Sequence, residues 1–172
     1  SKEEELEKLL REHHEKIKRL KEESKRINDR IRRTVEELIK ESEKINRDIN
    51  DTVRKNDRDE KVIRRLLEDV RRKHEELRER LKRELDKVRE RHKELLDRAR
   101  RATERVKERL DRAGLREDSV ERIKRELERN LDDLRRVLKE SEDDLREILR
   151  RLKEVLEESE RDLERVEREV RK

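Results

Sequence analysis

Serine and histidine recur at a fixed spacing in this chain. Three pairs of like residues are each separated by 18 positions: Ser24 and Ser42, His74 and His92, and Ser141 and Ser159. A serine beside a histidine can support nucleophilic catalysis, in which the imidazole removes the hydroxyl proton. Imidazole also binds metals and titrates near neutral pH. These pairs therefore suggest three possible functions: acyl transfer, metal binding and a response to pH.

The spacing places each pair on one line along an α-helix, because 18 residues make five turns at 3.6 residues per turn. Facing positions in an antiparallel helix pair have residue numbers that add to a constant. The residue numbers of Ser42 and His74 add to 116, and so do those of Ser24 and His92. In the same way, His74 with Ser159 and His92 with Ser141 each add to 233. This arithmetic predicts an all-α fold, a single-chain antiparallel up-down-up three-helix bundle with an 18-residue repeat.

The same arithmetic predicts three polar layers inside the bundle. His13 and Thr103 also add to 116, and Thr103 and Asn130 to 233. Two asparagines lie one turn from the first-tract serines, on the side of the neighbouring histidine. We name the layers by their histidines: the His92 layer (Ser24, Asn28, His92, Ser141), the His74 layer (Ser42, Asn46, His74, Ser159) and the His13 layer (His13, Thr103, Asn130).

These layers favour a structural role over catalysis or metal binding. Each layer holds one histidine, and His74 and His92 would lie about 27 Å apart along their helix, so no metal site is predicted. No sequence signal points to a strained nucleophile turn or an oxyanion hole. We therefore expect no enzymatic activity and no cofactor. A slip in register would strand the buried polar groups at a cost of roughly 1–3 kcal/mol each, so the layers specify alignment.

Composition alone would suggest disorder, because 62% of the 172 residues are charged and 27% are hydrophobic. The apolar residues nevertheless follow the helical period. Leu6 and Val53 are separated by 47 residues and 13 steps of the first apolar stripe, about 3.6 residues per step, which predicts nearly straight helices about 80 Å long. The chain has no cysteine, which excludes disulfide and thiol chemistry. No apolar run is long enough to cross a membrane.

Two breaks divide the chain into helices predicted over about residues 2–55, 59–113 and 118–171, within one domain spanning 1–172. In the first break, Asp57 and Glu60 have the spacing of a capping box.

The second break contains the chain's one glycine, Gly114, which suits the left-handed position after a helix. Leu115 is its predicted hydrophobic partner. Asp118 or Ser119 is then predicted to cap the third helix.

Charge is uneven between the tracts: residues 1–56 carry a net charge of +2, residues 57–114 carry +6 and residues 115–172 carry −3. The basic middle helix and the acidic third helix favour pairing within one chain. The same basic helix suggests salt-sensitive, nonspecific adhesion to nucleic acid. The chain has no aromatic residue to stack on a base, so no specific nucleic-acid binding is expected.

A single apolar stripe on each helix predicts a monomer that requires no partner. Some apolar residues widen the stripes and leave a weak dimer or a domain-swapped form open: Leu9, Ile39, Val62, Leu66, Leu96, Leu131, Val137, Leu149 and Val155.

The restricted set of residue types, the straight capped helices, the 18-residue repeat and the repeated histidine, serine and asparagine layers resemble computationally designed parametric helical bundles with buried hydrogen-bond networks. The resemblance covers the whole chain. It implies a stable engineered scaffold with no enzymatic activity or native ligand, soluble in the cytoplasm of an expression host. Natural three-helix repeats such as those of spectrin have a similar layout, but they usually carry aromatic core residues.

An alternative function is a pH-responsive bundle. Burial without a counter-charge disfavours the imidazolium, so protonation of the buried histidines would destabilise the fold.

Overall fold

The computed structural model describes residues 1–56 and 59–171, without the side chains of Asn56, Val170 and Arg171. The described residues form three α-helices and no strand: α1 (Lys2–Asn56), α2 (Glu60–Arg112) and α3 (Glu117–Arg171). The three helices pack against one another, which confirms the predicted all-α three-helix bundle. Their ends agree with the predicted ends to within one residue.

The first two helices begin at side-chain caps. The backbone N–H of Glu4 donates to the hydroxyl of Ser1 at 3.3 Å, which satisfies one of the free donors of the first turn of α1. At the start of α2, the N–H of Val62 donates to Oδ1 of Asp59 at 3.4 Å. The predicted capping box depends on Asp57, which lies outside the described residues, and the cap seen here is Asp59.

The turn between α2 and α3 has the predicted glycine geometry. Gly114 has a φ of 66°, a left-handed conformation that carries little penalty for glycine. Leu115 packs against a core cluster that contains Leu110 and Ile123. Both observations confirm the predicted end of α2.

The predicted cap of α3 is wrong. The helix begins at Glu117, and the carbonyl of Arg116 accepts from the N–H of Val120 at 3.1 Å. Asp118 and Ser119 therefore lie inside the first turn instead of preceding it. Glu117 and Asp118 supply negative charge in that turn, which the positive end of the helix dipole favours.

Residues Ser1–Asp29 and Lys87–Asp144 form one compact unit, unit 1, with a segment from each helix. Lys107 pairs with Glu128 at 2.5 Å and Lys124 pairs with Asp111 at 2.8 Å. Residue numbers rise along α2 as their partners' numbers fall along α3, so the two helices are antiparallel in this unit.

Residues Arg30–Asp86 and Leu145–Lys172 form the second compact unit, unit 2. Arg71 pairs with Glu167 at 2.7 Å, and Arg78 pairs with Glu160 at 3.2 Å. These contacts make α2 and α3 antiparallel in unit 2 as well.

The apolar residues at the edges of the stripes are covered. Of the nine that widen the stripes, Ile39 and Leu131 are buried and the others are half-buried. Across the described ranges, no large hydrophobic side chain is exposed. The search of these ranges also found no helix long and apolar enough to span a membrane.

Candidate functional site

Nine of the eleven residues of the three layers are buried, and Asn46 and Asn130 are half-buried. Within the described part of the chain, these nine are also all of the polar or charged residues that are buried. The hydrogen bonds that join them differ from layer to layer.

The His13 layer, in unit 1, is hydrogen-bonded on both sides of its imidazole ring. The hydroxyl of Thr103 donates to the carbonyl of Ala99, one turn earlier in α2, at 2.8 Å. That hydroxyl has only one proton, so it accepts a hydrogen bond from Nε2 of His13 at 2.9 Å. Nδ1 of His13 then accepts from the amide nitrogen of Asn130 at 3.5 Å. This pattern assigns His13 as a neutral ring protonated on Nε2.

Burial and the charges around His13 favour the neutral ring. Burial, together with the positive charges of His14 and Lys16, lowers the pKa of His13 to about 4, although Glu128 partly opposes the shift. Protonation would place a positive charge beside an amide and a hydroxyl, neither of which can neutralise it.

The His74 layer, in unit 2, joins all three helices. The hydroxyl of Ser159, in α3, lies 2.8 Å from Nε2 of His74 in α2 and bonds Oδ1 of Asn46 in α1. On the other side of the ring, Nδ1 lies 3.3 Å from Oε1 of Glu160. The same carboxylate oxygen accepts from Arg78 at 3.2 Å. A continuous chain of contacts therefore runs from Asn46 to a surface arginine.

This chain of contacts suits two proton arrangements. If Ser159 donates to Asn46, it must accept from Nε2, and with Nδ1 donating to Glu160 the ring is an imidazolium. If Ser159 instead donates to Nε2, the ring is neutral and protonated on Nδ1. The Asn46 amide then turns by 180° so that its N–H donates to Ser159, a rearrangement that exchanges two atoms of similar size.

The neutral ring is favoured in the His74 layer as well. Burial lowers the pKa of His74, Glu160 opposes the shift through its hydrogen bond and its charge, and Arg78 adds to it. His74 thus resembles His13 in the direction of its pKa shift, but it has a carboxylate where His13 has an amide.

The four residues of the His92 layer, in unit 1, are all buried, but the described residues supply no hydrogen bond to its histidine. The hydroxyls of Ser24 and Ser141 lie 3.4 Å apart. Among the described residues, neither ring nitrogen of His92 has a hydrogen-bond partner, and Oδ1 of Asn28 has none. Among the described residues, His92 therefore bonds neither serine nor Asn28, and the two serines contact each other.

Glu142 stands beside His92 at a longer distance than Glu160 stands from His74. Its Oε1 lies 3.9 Å from Nδ1 of His92, beyond ordinary hydrogen-bond length. Burial lowers the pKa of His92, and Glu142 opposes the shift.

Sequence reasoning missed the two glutamates and one unsatisfied serine. The signal for the glutamates is present, because Glu142 and Glu160 directly follow Ser141 and Ser159 and repeat at the same 18-residue spacing. Their position at the edge of the stripe makes them look like solvated surface residues. Ser42, which was predicted to lie in the His74 layer, is fully buried with no hydrogen-bond partner for its hydroxyl within the described ranges.

The order of contacts Ser159–His74–Glu160 is that of a serine–histidine–acid triad. Both Ser159 and His74 have no exposed surface, so a substrate has no access to them in this conformation. The contacts connect the buried ring of His74 to the surface through Glu160 and Arg78. Groups of three or more potential metal ligands were not found in the residues that the structure covers. The prediction that the chain is not an enzyme stays a prediction.

Comparison with protein-family models, with curated protein sequences and with solved structures found no significant match.

Proposed function

We propose that the chain is an engineered structural scaffold, whose buried polar layers specify the register of its three helices. The observation that carries this proposal is the Ser159 hydroxyl, which contacts α1 through Asn46 and α2 through His74 at one level. A one-turn slip moves a helix by about 5.4 Å, beyond the reach of a hydrogen bond. A one-turn slip would therefore lose these contacts and leave buried polar atoms without partners.

The engineered origin rests on regularity in the sequence. A layer of two serines, one asparagine and one histidine occurs twice, displaced by 18 residues, in a chain with no Phe, Tyr, Trp, proline, cysteine or methionine. The burial of the apolar side chains supports a monomeric state, since no large hydrophobic side chain in the described ranges is exposed. Light scattering would test the monomer directly.

A pair of spin labels tests whether a layer specifies register. The chain has no cysteine, so Lys25→Cys and Glu140→Cys give unique exposed sites on α1 and α3 of unit 1. No single loop joins these two helices. We expect one narrow distance distribution between the labels. It should broaden by about one helical turn, about 5 Å, when the His92 layer is made apolar: Ser24→Ala, Asn28→Leu, His92→Leu and Ser141→Ala.

The free energy of unfolding of this apolar variant should be unchanged or higher, because buried polar groups contribute specificity more than stability. A matched control replaces four exposed residues of the same unit and should keep the narrow distribution: Lys18→Ala, Glu22→Ala, Arg89→Ala and Glu90→Ala. If the apolar variant is as narrow as the control, the layer does not specify register.

A second candidate function is an acid-responsive bundle. The observation that favours it is that the hydrogen-bond partners of His13 in the described part of the chain are Thr103 and Asn130, neither of which is a carboxylate. Burial lowers the folded-state pKa of all three buried histidines. They therefore stabilise the fold at pH values above the unfolded-state pKa of about 6.5. That contribution is lost as pH falls below 6.5.

Denaturant unfolding at pH 7.5 and pH 4.5 tests this function. We expect lower stability at pH 4.5 and a smaller difference after His13→Asn. The exposed neighbour His14 supplies the control, because His14→Asn removes an imidazole of the same helix from outside the core. An equal pH dependence in both variants would contradict a role for His13.

A further inference from the structure

The face of α2 that borders α1 in unit 1 carries a row of arginines. At 3.6 residues per turn, seven positions between 91 and 112 fall within an arc of about 80° on the helix. Six of them are arginine and the seventh is Glu94. We call the six arginines the arginine stripe: Arg91, Arg98, Arg101, Arg105, Arg109 and Arg112.

All six side chains are exposed, and most have no anionic partner. Arg98 pairs with Glu23 of α1 at 3.3 Å, and Arg112 pairs with Glu108 at 3.6 Å. Among the residues that the structure describes, the other four make no ion pair within 4.0 Å. On the opposite side of α2, Lys107 is paired with Glu104 and Glu128, and Arg100 is paired with Asp97.

Two cations of α1 extend the positive surface. Lys16 and Arg19 have no ion-pair partner in the described ranges. The pKa of the half-buried Lys16 is lowered, first by burial and then by the positive charges of Arg105, Arg98, Arg19 and Arg101. Positive charge from both helices therefore converges on this seam, and a bound anion would relieve the repulsion.

Acidic residues interrupt the seam without neutralising it. Glu5 and Glu12 of α1 line a surface hollow together with Arg109. Neither makes an ion pair with Arg109 among the described residues. Glu23 is occupied by Arg98.

We propose that the arginine stripe binds the phosphate backbone of duplex nucleic acid without reading its sequence. Arg91 and Arg112 are 21 residues apart, about 32 Å along the helix, which is near one turn of the duplex, about 34 Å. Each arginine presents a planar fork of donors suited to phosphate oxygens. The duplex is favoured over a single strand because the chain has no aromatic residue, and base stacking is a major part of single-strand binding.

The salt dependence of binding tests this site. The probe is a fluorescein-labelled 20-base-pair duplex, with anisotropy measured between about 20 and 200 mM NaCl. If about four arginines contact phosphates, the logarithm of the association constant falls with a slope of about −3.6 against the logarithm of the salt concentration. Affinity should then fall about 100-fold between 50 and 200 mM. Replacing Arg101, Arg105 and Arg109 with glutamine should make the slope less steep by about 3.

A matched control removes the same charge elsewhere. Arg32, Arg33 and Arg47 are exposed residues of α1 in unit 2 without ion-pair partners in the described ranges. Their replacement with glutamine should leave the slope unchanged. Circular dichroism should show equal helix content in all three proteins. An equal change in both triple variants, no duplex binding at 20 mM salt, or tighter binding of a single strand of the same length would each overturn the proposal.

Discussion

At the scale of the residue, the three buried histidines have the same direction of pKa shift but different hydrogen bonds. His13 donates from Nε2 to Thr103, whose own proton is held by the Ala99 carbonyl. His74 places Nδ1 against Glu160. Neither ring nitrogen of His92 has a hydrogen-bond partner among the described residues. The protonation of the His13 and His74 rings thus depends on side chains that belong to the other helices.

The neutral rings of His13 and His74 should be opposite tautomers. His13 should carry its proton on Nε2 because Thr103 can only accept, and His74 should carry it on Nδ1 because a carboxylate can only accept. Long-range ¹H–¹⁵N correlation spectra at pH 7.5 report the protonated nitrogen of each ring. The Thr103→Val variant should free Nε2 of His13 without altering the His74 signals. The same tautomer at both residues would contradict this assignment.

Two buried serines of the His74 layer should differ in their contribution to stability. Ser159 bonds both His74 and Asn46, so Ser159→Ala leaves two polar partners unsatisfied and should cost about 1–3 kcal/mol. Ser42 has no partner for its hydroxyl in the described residues, so Ser42→Ala should change the unfolding free energy by less than about 0.5 kcal/mol or increase it. Chemical denaturation at pH 7.5 compares the two, and an equal cost would contradict the geometry.

At the scale of the element, the end of a helix was predictable where the residue type suits only one position relative to the helix. Gly114 is the chain's only glycine, and its left-handed φ follows from that role. The start of α3 was less predictable, because Asp118 and Ser119 are both good capping residues. The helix starts at Glu117, and Asp118 and Ser119 both lie within its first turn.

The left-handed conformation of Gly114 gives a test at this scale. Gly114→Ala should cost about 1 kcal/mol, because a side chain at positive φ is strained. Steric contact adds little, since a Cβ there would meet only the end of the Lys2 side chain, at 3.7 Å. Gly114→Asn should cost less, because asparagine tolerates this region. Denaturant unfolding of both variants provides the measurement, and equal costs would point to a cause other than φ.

At the scale of the whole molecule, register was predictable because facing positions depend only on residue numbers and turn centres. This arithmetic predicted the contacts of His13 with Thr103 and Asn130 and of His74 with Ser159. It could not predict that Ser24 contacts Ser141 while the ring nitrogens of His92 have no hydrogen-bond partner among the described residues. The two repeated layers have the same residue types, so only side-chain geometry separates them.

The distribution of carboxylates among the layers gives a prediction for each compact unit. Unit 1 contains His13 and His92, and among the described residues neither ring is within hydrogen-bond distance of a carboxylate. Glu128 acts on His13 by charge only, and Glu142 lies 3.9 Å from His92. Unit 2 contains His74, whose ring is hydrogen-bonded to Glu160 beside Arg78.

Acid should therefore weaken unit 1 more than unit 2. For His13, the fall in pKa from 6.5 to about 4 corresponds to about 3 kcal/mol, lost as pH falls through that interval. Native-state hydrogen exchange at pH 7.5 and 4.5, corrected for intrinsic rates, should show a loss of protection at least about tenfold greater in unit 1. Glu160→Gln should remove most of that difference by depriving His74 of its counter-charge. Glu142→Gln should not reduce the difference, because Glu142 raises the pKa of His92 in unit 1 and its loss weakens that unit in acid. Equal losses in the unaltered chain would mean that the carboxylate at His74 does not protect unit 2 against acid.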